Sequence, residues 1–283
     1  MSRKWQVIDA SVSDHAREAV AYGLMEAGAL GTETIEGANG TAHVVGYFET
    51  SPQLAAVGAT VRKALDIYGF SEGVLGELTA SELPDQDWLT EWKKHWQPVE
   101  VGRFVIAPSW FPSEPSGADK IVVRIDPGMA FGTGTHETTR LCLKAIDKYF
   151  GGGSFLDVGT GTGILAIAAA KIAPDARIVA CDTDADAVRI AHENAALNGV
   201  EDRIDFRVGS VSEETPSADF VCANLTAPVI IDLLPTLLGA TCGRLVLSGI
   251  LDSQFEMVNR QLMQLAASGN EVIQDGEWIA VVI

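Results

Sequence analysis

The chain has 283 residues, 47% hydrophobic and 20% charged, a globular composition long enough for two domains. Twenty Lys and Arg against 38 Asp and Glu give a net charge of -18, which argues against a broad electrostatic grip on nucleic-acid backbones and favours an acidic, solvated surface or a cationic partner. The cysteines Cys142, Cys181, Cys222 and Cys242 form no C-x-x-C pair and read as buried thiols of a reducing compartment. No apolar run approaches the ~20 residues of a membrane span, and the N-terminus meets Asp9 and Asp14 instead of a signal-peptide core. A cytoplasmic protein is expected.

In chain order, residues 4–12 begin strand-like, with Trp5 and Val7 alternating with Lys4 and Gln6. Residues 14–28 space Ala16, Val20, Leu24 and Ala27 as one helix face. An extended stretch around 32–36, a hairpin turn at Ala38-Asn39-Gly40 and a strand over 41–49 follow. Ser51-Pro52 offers a cap and first-turn pair for a helix with Leu54, Val57, Val61, Leu65 and Tyr68 on one side, and Val74 to Leu78 closes the set as a strand. The order β-α-β-β-α-β predicts a small ferredoxin-like α+β domain over residues 1–82.

A connector over 83–98 carries Trp88, Trp92 and Trp96 four residues apart, on one face of a short helix, as aromatic glue between domains or as a substrate-facing stripe. Residues 99–110 and 120–126 read as strands around the loop 111–118. From Ser154 a regular alternation begins, with strands at 154–158, 177–181, 203–208, 218–223 and 243–248, helices in the gaps, and a closing pair at 270–274 and 278–283. This predicts an α/β, doubly wound, mostly parallel seven-stranded sheet with an antiparallel edge, in a domain over 99–283.

The first of these strands runs into Gly159-Thr160-Gly161-Thr162-Gly163 and then an apolar helix, so the backbone turns sharply and admits a ligand close to the helix start. A dinucleotide fingerprint requires glycine where Ile164 stands, and a Walker loop requires a Gly-Lys-Ser/Thr that is missing. A nucleoside without a phosphate bias fits better, though a plain tight turn is the alternative. The next strand ends in Asp182, where a carboxylate can accept both hydroxyls of an adenosine ribose. Asn224, at the end of the fourth strand, could turn its amide oxygen to an amine or cap the following helix.

Metal readings fail on residue type. Asp182, Asp184, Asp186 and Glu193 have calcium-loop spacing, but Ala187 stands where that loop needs glycine, and 184–198 has helical composition. His136-Glu137 lacks a second histidine, because Arg140 occupies its place, and His15, His43, His95 and His192 have no ligand spacing. No metal is expected.

Asp126-Pro127-Gly128-Met129-Ala130-Phe131-Gly132-Thr133-Gly134-Thr135-His136-Glu137-Thr138-Thr139, the Leu156–Gly163 loop, Asp182 and Ala223-Asn224-Leu225 together resemble the bacterial methyltransferases of large-subunit ribosomal protein L-eleven, a class I S-adenosylmethionine family. The connector Asp87-Trp88-Leu89-Thr90-Glu91-Trp92-Lys93-Lys94, with Pro98 and Val101-Gly102, resembles the family's interdomain segment. Where the family often has Asn-Ile-Leu-Ala-Gly-Pro, this chain has Asn224-Leu225-Thr226-Ala227-Pro228, a departure on the substrate side.

The resemblance implies a small N-terminal domain that recognises the ribosomal protein and a C-terminal domain that methylates lysine ε-amines and the α-amine. It implies S-adenosylmethionine bound at Thr139, Gly159, Asp182 and Asn224, with the Phe131 loop lining the site. Gly132, Thr133, Asp157, Thr160, Gly161 and Thr183 complete the expected cofactor set, and Asn224 is the candidate for positioning the amine. A monomer is expected, with neither nucleic acid nor membrane as partner. Rival readings are a lysine methyltransferase for another protein, a nicotinamide-dependent dehydrogenase, and a non-catalytic assembly factor.

Overall fold

The computed structural model describes residues 5–29, 31–37, 40–48, 50–83, 98–111, 119–126, 134, 136–267 and 271–283. The tryptophan stripe at 88, 92 and 96, the turn residues 38 and 39, and the candidate site residues Phe131, Gly132 and Thr133 lie outside them. The chain divides into two compact units, one N-terminal and one from residue 97 onward.

The N-terminal unit runs β1 (Trp5–Ser13), α1 (Arg17–Glu26), β2 (Gly31–Glu36), β3 (Thr41–Phe48), α2 (Leu54–Ile67) and β4 (Leu75–Leu83). Its antiparallel sheet has the order β2-β3-β1-β4, the split arrangement expected of a ferredoxin-like sandwich. Apolar alternation continues past Val7 in the other parity: Ile8, Ala10 and Val12 face the helices and join Val20, Leu24, Val57, Val61 and Leu65 in one buried cluster. Two details depart from expectation. Ser51-Pro52 stands upstream of the helix, whose N-cap is Gln53 without a side-chain cap, and Leu54 in its first turn stays exposed.

The second unit opens with β5 (Val99–Val101), β6 (Phe104–Ala107) and β7 (Ile121–Arg124) in a small sheet of their own. The expected single strand over 99–110 is instead a hairpin. The chain turns at Gly102-Arg103, and Asp147 Oδ1 and Oδ2 accept from Arg103 Nε and N–H at 2.5 and 3.2 Å.

There follow α3 (Glu137–Tyr149), β8 (Ser154–Val158), α4 (Ile164–Ile172), β9 (Arg177–Asp182), α5 (Ala185–Leu197), β10 (Ile204–Val208), β11 (Ala218–Asn224), α6 (Ala227–Gly239), β12 (Thr241–Leu251), α7 (Phe255–Gln264), β13 (Glu271–Asp275) and β14 (Trp278–Val282). The seven-stranded sheet has the order β10-β9-β8-β11-β12-β14-β13, parallel except around β14. One expected helix is missing: 209–217, between β10 and β11, is a loop of Ser, Glu, Thr, Gly and Pro whose only large apolar residue is Val211, so it has no face to bury.

Alternation along the strands divides the core. Leu156 and Val158 of β8 pack with Ile230, Leu234 and Leu237 of α6 and Val258 and Leu262 of α7. With opposite parity, Phe155 stacks on Phe220 of β11 at 5.4 Å, and Phe150, at the end of α3, sets its edge against both. Cys142, Cys181 and Cys222 are buried free thiols; Cys242, expected to be buried, is exposed where β12 begins. Among the described residues no helix is long and apolar enough to cross a membrane.

Candidate active site

In an open α/β sheet, the successive crossovers leave a crevice at the carboxyl ends of the strands where the winding direction reverses. Here it reverses between β8 and β11: β9 and β10 continue to one side of β8, while β12 lies beyond β11. Val158 at the end of β8 is in register with Cys181 of β9 and Ala223 of β11. The next residue on each strand is therefore Gly159, Asp182 or Asn224, so three residues far apart in sequence become neighbours at one sheet edge.

The glycine loop is shaped by its own backbone. Gly159 has φ +74° and Gly163 φ +81°, values that a side chain makes costly. A Cβ at Gly159 would lie 2.4 Å from Leu225 Cδ2, and one at Gly163 would lie 3.1 Å from the Ala191 backbone. The carbonyl of Cys181 accepts from the N–H groups of Gly159 and Thr160 at 2.9 and 3.0 Å, which pins the loop to β9. Asp182 adds a carboxylate brace: Oδ2 accepts from Gly161 N–H at 2.9 Å and Oδ1 from Asp184 N–H at 3.0 Å. Each oxygen keeps a further lone pair, so the carboxylate is oriented and still able to accept from two hydroxyls. Thr183, next along, is exposed.

Asp157 has a different position. It is fully buried on β8 beneath the loop, with Oδ2 accepting from Thr160 Oγ1 at 2.7 Å and from Ala166 N–H at 3.3 Å. Gly163, the N-cap of α4, has no side chain to satisfy the first-turn N–H groups, and Asp157 supplies that missing cap from a neighbouring strand. Burial pushes its carboxyl up to about 7, opposed by the hydrogen bonds from Thr160 and Ala166.

Between the ordinary 3.8 and about 7, the folded chain therefore holds a proton that the unfolded chain has released. This stabilises the folded state relative to an ionised Asp157, and the benefit is lost as pH rises through 7. Relative to Asp157→Asn, the wild-type unfolding free energy is expected to fall by about 3 kcal/mol between pH 5 and 8, read from denaturant titrations. A constant difference across that range would contradict the assignment.

The other wall begins at His136. His136 is the N-cap of α3: its Nδ1 accepts from Thr138 N–H at 3.3 Å, and its ring meets Trp278 edge-on. Ser248 of β12, in register with Asn224, donates to the Thr138 carbonyl at 3.2 Å and so ties the first turn of α3 to this sheet edge. The one signal of Ser248 in the local sequence is a serine directly after the apolar run Leu245-Val246-Leu247. Asp184 caps α5 through Asp186 N–H at 2.8 Å, the helical role that displaces the calcium reading. Among the described residues no group of three metal-ligating side chains comes together.

Besides Asp157 Oδ1, beneath the loop, two polar atoms here have no hydrogen-bond partner among the described residues: Thr139 Oγ1, on a fully buried residue, and Asn224 Oδ1. The alternative role of Asn224 as a helix cap is not what the structure shows, since Thr226 occupies the N-cap of α6. Orphaned buried acceptors cost about 1–3 kcal/mol each. A ligand bearing hydroxyl and amine groups would satisfy them, and these residues together with Asp182 fit an adenosyl amino acid.

Comparison with known proteins identifies the family. A family model described as ribosomal protein L11 methyltransferase (PrmA) matches residues 4–283. A ribosomal protein L11 methyltransferase of Myxococcus xanthus is 37% identical over 296 residues, covering 99% of both chains. One of Syntrophomonas wolfei is 44% identical over 206 residues, 71% of this chain and 66% of that one. The crystal structure of a ribosomal protein L11 methylase from Lactobacillus delbrueckii subsp. bulgaricus superposes with TM-score 0.62 at 31% identity, covering 66% of this chain and 97% of that one. A methyltransferase family removes the dehydrogenase reading that Ile164 had already disfavoured, and the chain belongs to the ribosomal protein L11 methyltransferase family.

Proposed function

We propose that this protein is an S-adenosylmethionine-dependent N-methyltransferase that methylates ribosomal protein L11 on lysine ε-amines and the N-terminal α-amine. The observation that carries the reading is the convergence of Gly159, Asp182 and Asn224 at the switch point of the sheet, with Asn224 Oδ1 unpartnered among the described residues. When bound, S-adenosylmethionine supplies a sulfonium methyl to the incoming amine.

The chain's own work is to hold and aim. Asp182 accepts the ribose hydroxyls, the glycine loop brings backbone close to the ligand, and Thr139 Oγ1 gains a partner. Asn224 Oδ1 accepts an N–H of the substrate amine and turns its lone pair inward. A lysine with the reference pKa of ~10.4 must first lose a proton, which at pH 7 costs about 4.6 kcal/mol. Burial in the cleft and a neighbouring cationic sulfonium both lower that cost, and no side-chain base need be invoked.

In this reading residues 1–82 recognise the protein substrate, 83–98 link, and 99–283 carry the transfer, in the cytoplasm where ribosomal proteins are made. One copy suffices, since the glycine loop, Asp182 and Asn224 come from one chain. The net charge of -18 favours encounter with a substrate presenting cationic amines.

The test is transfer of a labelled methyl group to purified L11, with other ribosomal proteins as alternatives and mass spectrometry to place the label. Label on L11 lysines and its N-terminus is expected. Label on a different protein moves the substrate assignment, and label on none removes the enzymatic reading.

A further inference from the structure

Helix α5 buries a stripe of small residues, Ala187, Ala191 and Ala195, and two asparagines four residues apart interrupt it: Asn194, 3% exposed, and Asn198 at the C-cap. A buried amide is costly unless both its ends are bonded. Both ends of each are.

The two amides do different things. Asn198 Nδ2 donates to the Arg124 carbonyl at 2.7 Å and its Oδ1 accepts from Arg124 N–H at 2.9 Å, so it pairs with the end of β7 as a neighbouring strand would. Asn194 joins two segments of the site. Its Nδ2 donates to the Thr162 carbonyl at 2.9 Å, inside the glycine loop, and its Oδ1 accepts from Asp126 N–H at 3.3 Å, where the second glycine-rich stretch begins. Asp126 is held in turn: its carboxylate accepts from Ser109 N–H and Oγ at 2.6 and 2.7 Å.

We infer that Asn194 is a positioning residue for the cofactor, fixing the glycine loop against the Asp126 entry so that the two meet the ligand pre-organised. The inference rests on the functional reading above. Asn194 acts through two backbones: if the donor to Thr162 is lost, the loop that carries Gly161 can shift relative to Asp182 and Asp126. Pre-organisation of this kind appears as affinity, because a loose loop must be ordered on binding.

Asn194→Asp keeps size and the acceptor toward Asp126 but sets an oxygen against the Thr162 carbonyl; Asn198→Asp makes the same change at Arg124. S-adenosylhomocysteine affinity by calorimetry and thermal stability are measured for wild type and both variants. Asn194→Asp is expected to weaken binding about 10-fold or more, and Asn198→Asp by less than about 3-fold at a comparable loss of stability. The Asn194→Asp defect is also expected to shrink toward pH 5, where a protonated carboxyl again donates to Thr162, a response that general destabilisation would not produce. Should Asn194→Asp not fold, Asn194→Ser carries the same affinity expectation. Wild-type affinity in the Asn194 variant, or equal losses in both variants, overturns the inference. Failure of the wild type to bind S-adenosylhomocysteine overturns instead the reading beneath it.

Discussion

Asp182→Ala is expected to lower the affinity for S-adenosylhomocysteine by at least about 100-fold, measured by calorimetry on a variant whose thermal unfolding shows it folded. Hydrogen bonds to a charged acceptor contribute about 1.5–3 kcal/mol each, and two hydroxyls lose theirs together. The variant also releases Gly161 N–H, now held at 2.9 Å, and Asp184 N–H, held at 3.0 Å, so the glycine loop loses its brace toward β9. Asp182→Asn keeps the shape but offers one acceptor and a donor that opposes one of those N–H groups. Its expected loss is intermediate, about 10-fold. Affinity unchanged in Asp182→Ala would place the nucleoside elsewhere.

Asn224→Ala is expected to lower kcat about 100-fold at saturating cofactor while changing KM for the protein substrate by less than about 3-fold. The reason is that Asn224 Oδ1 has no partner among the described residues, so its removal leaves the fold's own hydrogen bonds intact and takes away an aim, not a docking contact. Asn224→Asp separates aiming from charge. It keeps an acceptor but adds a negative charge beside the amine, which holds that amine protonated, so its kcat is expected to be low at pH 7 and to recover toward pH 9. A kcat within about 2-fold of wild type in Asn224→Ala would remove this residue from the transfer step.

The fold was legible where hydrophobic period and turn chemistry agree. The β-α-β-β-α-β order of the N-terminal unit and the seven strands from Ser154 onward could be read from alternation and spacing, and their observed sheet orders are those such units adopt. The Gly159 loop and Asp182 were legible because a strand, a glycine turn and a helix start are contiguous in sequence. What escaped depends on which elements become neighbours. Asp157 caps α4 from within β8, nine residues before the N–H it accepts from, Ser248 ties α3 to β12 across 110 residues, and Asn194 bridges segments 32 and 68 residues away. Asn194 and Asn198 did leave a trace, two amides on the alanine face of one helix, and its meaning required the positions of Thr162 and Arg124. The loop at 209–217 escaped for the opposite reason: alternation elsewhere suggested a helix that the composition of this segment does not support.

A crystal structure of the protein with S-adenosylhomocysteine tests the central claim most directly. The account predicts both ribose hydroxyls on the Asp182 carboxylate, the ligand backbone against Gly159 to Gly161, and the sulfur facing Asn224. Ligand density away from the carboxyl ends of β8, β9 and β11, or a ribose with no contact to Asp182, would contradict it.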